Sequence, residues 1–117
     1  MKIAIPVEDN KGFDSEVCEH FGRAPFFAIV TLDGEAKIEI IPSPFTSHGP
    51  GEIPKFLSEK GVDVILAMGI GRKAELFFNE FGIKVVRGAS GKVGNLIREF
   101  LEGNITSVDY KPEGGCH

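Results

Sequence analysis

The chain has 117 residues, 42% of them hydrophobic, and a formal net charge of -4. That length fits one domain with one core, and a domain this size buries enough surface to fold without disulfides. Its 13 basic residues are scattered among 17 acidic ones, which argues against a nucleic-acid binder with a basic face, and no apolar run reaches the ~18 residues of a membrane span.

The chain opens on Lys2–Val7, a β-branched apolar run that reads as a strand and is too short for a signal peptide; the expected compartment is the cytoplasm. A 17-residue loop, Glu8–Ala24, follows. Pro25–Thr31 is a second strand. Asp33-Gly34 signals a tight turn into Ala36–Ile41, where apolar and charged residues alternate as on an antiparallel strand with one wet face. The 11 residues Pro42–Glu52 form the next long loop, and connections of such length in a small domain tend to carry function.

The period then changes from two to three or four. Ile53, Phe56 and Leu57 mark a helix over Ile53–Lys60. Val62–Met68 is a nearly continuous apolar run, as expected of a strand covered on both faces. Arg72–Phe81 is a second helix, stopped by Gly82; Ile83–Val86 is a short strand; and Val93–Leu101 is a third helix, stopped by Gly103. The order β-β-β-α-β-α-β-α predicts an α/β domain with a mixed five-stranded sheet between helical layers, the layout of a ribonuclease-H-like fold. Residues 1–103 make up the domain, and 104–117 read as a flexible tail.

All cysteines and histidines, namely Cys18, His20, His48, Cys116 and His117, fall outside these elements. Thiolate and imidazole suit iron–sulfur, copper and zinc sites. However, Cys18-x-His20 is not a zinc-finger spacing and Cys116-His117 are adjacent, so spacing alone favours ordinary loop residues and a mobile end. In a reducing compartment the two cysteines are free thiols or ligands rather than a bridge. Gly69-Ile70-Gly71-Arg72-Lys73-Ala74 follows a strand and opens a helix, like a relaxed dinucleotide fingerprint. The acid such a site needs ~20 residues later is missing, since Arg87-Gly88-Ala89 stand there. What remains is a turn suited to an anion, with helix N–H groups, Arg72 and Lys73 close by. Gly88-Ala89-Ser90-Gly91-Lys92 departs from a phosphate loop in its first glycine and lacks a Ser or Thr after the lysine. A nuclease is excluded because the first strand carries no acid in its interior to hold metal ions.

Several segments together resemble the dinitrogenase iron–molybdenum cofactor biosynthesis family, in its small stand-alone form. They are Met1–Val7, the stretch Asp14-Ser15-x-x-Cys18-x-His20-Phe21-Gly22-Arg23-Ala24-Pro25-Phe26-Phe27, His48-Gly49-x-Gly51, Gly61–Ile65, Gly69-Ile70-Gly71, Gly82–Val85 and Glu102-Gly103. The resemblance implies a ribonuclease-H-like fold without nuclease activity, and a non-enzymatic carrier of an anionic metal–sulfur cluster of iron–sulfur or iron–molybdenum type. It implies cluster donor and acceptor proteins as partners, with neither nucleic acid nor membrane. Cys18, His20, His48, Cys116 and His117 are then candidate metal ligands. Arg23, Arg72 and Lys73 would balance charge, and Gly69 and Gly71 would let the backbone approach sulfide. The readings that compete with it are a nucleotide or small-anion module built on Gly69–Ala74, and a purely protein-binding module.

Overall fold

The computed structural model describes residues 1–43 and 51–103. β1 (Lys2–Val7) is the buried centre of the sheet. β2 (Phe26–Asp33) and β3 (Glu35–Pro42) form a hairpin turned at Gly34, and β2 runs antiparallel to β1. After α1 (Glu52–Glu59) the chain crosses to β4 (Val64–Leu66), which lies parallel to β1 on its other side. α2 (Arg72–Glu80) leads to β5 (Lys84–Val86), parallel to β4, and α3 (Val93–Leu101) follows. The sheet order is β3-β2-β1-β4-β5, the expected ribonuclease-H-like layout.

Side-chain alternation along the strands separates the two cores. Ala4, Ile29, Ile65 and Val85 face Ile53 and Leu57 of α1 and Phe78 of α2. Ile3, Ile5, Val7, Val64 and Leu66 face Val93, Leu96 and Ile97 of α3. Two helices thus cover one face of the sheet and one helix covers the other. Gly82 and Gly103 follow α2 and α3 at φ of 75° each, the left-handed turn that ends a helix and that a side chain would oppose.

Element ends shift by one or two residues from the sequence reading, and two differences bear on the site. The fourth strand is limited to Val64–Leu66, because ladder partners on β1 and β5 extend no further. Val62 and Ala67 are still buried, which is why the apolar run is longer than the strand. The Glu8–Ala24 connection is not an open loop. It holds two single 3-10 turns, Gly12–Asp14 and Phe21–Arg23, and is pinned to the sheet between them.

Candidate functional site

β1, β4 and β5 are parallel, so the segments that leave them emerge at one end of the sheet, where α/β domains commonly place their ligands. The N-termini of α2 and α3 open there as well. A strap, residues 15–21, lies across this end and is held by backbone hydrogen bonds. The Cys18 N–H donates to the Pro6 carbonyl at 2.8 Å, and the Val17 N–H to Gly91 at 2.9 Å. The Val93 N–H donates to Ser15 and the Gly69 N–H to Glu19, both at 3.0 Å. Pro6 has no N–H to lose in a central strand, and its free carbonyl becomes an anchor for the strap.

The strap brings together two segments far apart in sequence: His20 lies opposite Gly69 in a parallel bridge. The Gly69–Lys73 turn therefore forms one side of the candidate site and His20 the other. Ile70 is buried among Cys18, Phe21 and Phe78 and fixes the turn to the core. Gly71 is the extended N-cap of α2 and offers no side-chain cap. The first intrahelical bond runs from the Glu75 N–H to the Gly71 carbonyl at 3.0 Å, which leaves the preceding first-turn amides as donors for a ligand. Arg72 and Lys73 on that turn are exposed, as is Arg23 three residues after His20. Amides, a helix N-terminus and the two cations of the turn favour an anion.

The thiol and imidazole differ sharply in their surroundings. His20 keeps 24% of its side chain exposed, with Nε2 3.8 Å from Glu19 Oε1. Cys18 is only 8% exposed and packs in the core, where its Sγ donates to the His20 carbonyl at 3.3 Å. Burial lifts the Cys18 thiol above its ordinary value, and the charges of Glu8 and Glu19 add to the rise. At neutral pH Cys18 is therefore a protonated thiol. Among the described residues no three His, Cys, Asp or Glu side chains converge as a metal site. His48, Cys116 and His117 lie outside the described residues.

One pair in this region was not legible in the sequence. Arg87, at the end of β5, forms a partly buried ion pair with Glu75 in the first turn of α2. The sequence shows Arg87 only as the absence of a ribose-binding acid, and no spacing rule links it to a residue 12 positions earlier. The pair holds the N-terminal turn of α2 against β5. Phe21 meets Phe78 edge-on at 5.8 Å between ring centroids, tying the strap to the same helix.

Residues 1–103 match the family model described as dinitrogenase iron-molybdenum cofactor. The chain is 34% identical over 114 residues to an uncharacterized protein, MJ0580, of Methanocaldococcus jannaschii, covering 93% of this chain and 92% of that one. Among solved structures it resembles PH0822, with a TM-score of 0.84 at 39% identity over 95% of this chain and 98% of the other. It also resembles the apo form of the orange protein from Desulfovibrio gigas, with a TM-score of 0.80 at 28% identity over 96% of each chain.

Proposed function

This chain belongs to the dinitrogenase iron–molybdenum cofactor family, and on that footing we propose that it binds and carries an anionic metal–sulfur cluster without transforming it. One observation carries the reading: the strap brings His20 beside the turn Gly69–Lys73, which has no side-chain cap and carries two cations, at the end of the sheet where α/β domains commonly bind ligands. Gly69 and Gly71 let the backbone come close to sulfide, the amides of the first α2 turn point donors at it, and Arg23, Arg72 and Lys73 offset its charge. His20 is the imidazole available to a metal within this group.

The described residues suit an anion held by amides and cations better than one ligated by thiolate. Cys18 is buried and protonated, so its part is to pack beneath the strap and steady the His20 carbonyl. His48, Cys116 and His117 stand as further candidate ligands on the sequence alone. A cargo held mainly by hydrogen bonds and charge can be passed on without breaking strong metal–thiolate bonds, which suits exchange between a donor and an acceptor protein.

Anaerobic reconstitution with iron, sulfide and molybdate, followed by absorption spectroscopy, tests the proposal. A charge-transfer band is expected in the wild type, and His20→Ala should lose most of it. The double variant Arg72→Glu/Lys73→Glu should bind about tenfold or more weakly at unchanged thermal stability, since both side chains are exposed. A wild-type protein without a band under every loading condition rules the proposal out. The competing nucleotide reading predicts a thermal shift with NADP or ATP that His20→Ala leaves intact.

A further inference from the structure

We propose that the outer edge of β3 is a self-association surface, pairing antiparallel with β3 of a second copy about a two-fold axis at Ile38. The hydrogen-bond ladder shows which backbone groups the strand offers. The Leu32 N–H donates to the Met1 carbonyl at 2.8 Å, and the Met1 ammonium donates back to the Leu32 carbonyl at 3.2 Å. Even-numbered residues of β2 therefore face β1, and odd-numbered ones face β3. On that side the Ser43 N–H donates to the Pro25 carbonyl at 2.8 Å, in step with the pairs Phe27–Ile41, Ile29–Glu39 and Thr31–Lys37. The odd residues of β3 are thus spent on β2. The N–H and C=O groups of Ala36, Ile38 and Ile40 point outward, and no strand among the described residues pairs with them.

Charge guards this edge, through Glu35, Lys37 and Glu39, but the signs alternate along the strand, so a second copy can match them. The strand is eight residues long and regular, and its proline, Pro42, stands at the end. The other sheet edge, β5, has only three residues. Side-chain pattern selects one register. With the axis at Ile38, Ile38 meets its own copy and Ala36 meets Ile40, so every outward backbone group of the strand finds a partner without calling on Pro42. Lys37 then stands opposite Glu39, twice by symmetry. Moving the axis to Lys37 sets Lys37 against itself and Glu35 against Glu39, and moving it to Glu39 sets Glu39 against itself. Opposite charges across a strand pair stabilise and like charges repel, so both slipped registers are disfavoured.

The apolar face agrees with this register. Ile38 and Ile40 are only half-buried, on the α3 side beside Phe26 and Leu32. The second copy would continue that row across the axis, in a sheet shared by both chains. Because the axis reverses strand direction, the two cluster-binding ends point opposite ways. Pairing therefore neither blocks nor completes the site, and it stands or falls separately from the proposed function.

Sedimentation of the full chain across concentration, with amide hydrogen exchange read by NMR, tests the pairing. The dimer fraction should rise with concentration, and the amides of Ala36, Ile38 and Ile40 should gain protection in step. Lys37→Glu should raise the dissociation constant about tenfold, because both symmetric pairs turn repulsive. Lys37→Glu/Glu39→Lys should restore the wild-type value. Both side chains are exposed, so the fold should be retained, which circular dichroism checks. Three results would overturn the inference: a monomer up to about 1 mM, a dimer indifferent to the single reversal, or protection of the three amides that does not depend on concentration. The last would mean that the chain covers its own edge.

Discussion

Cys18 has the chemistry of a ligand and the surroundings of a core residue. Its raised thiol value makes the neutral form the one that folding favours. The associated stability is complete below the ordinary thiol value of 9.0 and is lost as pH climbs through the raised folded value. Cys18→Ala should cost about 1–2 kcal/mol in denaturant unfolding near neutral pH, since it removes a buried side-chain atom. The difference from wild type should shrink as pH rises to about 10, because the variant has no thiol to ionise. Alkylation of native Cys18 should be slow at neutral pH and fast after unfolding. Cluster loading should survive the substitution; a band lost in Cys18→Ala but kept in His20→Ala would exchange the roles given to the two residues.

At the scale of elements, the position of α2 depends on a contact between segments that are distant in sequence. Arg87 and Glu75 retain 18% and 31% side-chain exposure, so neither can be fully rehydrated in place if the other is removed. Arg87→Met should destabilise by about 1–2 kcal/mol. It should also weaken cluster binding, because the N-terminal turn of α2 loses its brace, and a thermal melt paired with a loading titration measures both. α3 provides a second case. A Cβ on Gly94 would lie 3.3 Å from the Phe13 carbonyl oxygen in the first 3-10 turn. Replacing a helical glycine by alanine normally gains up to about 1 kcal/mol, less in a first turn such as that of Gly94. Gly94→Ala should show no such gain in a urea melt, because the 3-10 turn must give way.

For the whole molecule, a net charge of -4 surrounds a candidate site whose turn carries the exposed cations Arg72 and Lys73. The anionic cargo proposed above would thus be drawn to one end and repelled by the rest. Its association rate should fall as salt shortens the Debye length from about 10 Å at 0.1 M to about 3 Å at 1 M. Stopped-flow loading at several ionic strengths measures this, and a rate unaffected by salt would show that the cations do not steer the cargo. Among the described residues no helix is long and apolar enough to cross a membrane.

Periodicity in the sequence by itself determined the elements, their order and the faces they bury. Alternation marked β3 as half-wet, and the apolar run around Val64–Leu66 marked a strand covered on both sides, because burial selects side chains at the local repeat of the backbone. The glycine turn after β4 and the cation pair that follows it were equally plain, being contiguous. Only the tertiary structure decided what lies against that turn. His20 reaches Gly69 because the strap bonds to β1, to the turn after β4 and to the start of α3, and Arg87 reaches Glu75 because β5 lies beside α2. It also decided the fate of Cys18: residue type makes it a possible ligand, but solvent access sets its ionisation, and that access depends on the packing of Phe21, Ile70 and Phe78 around it.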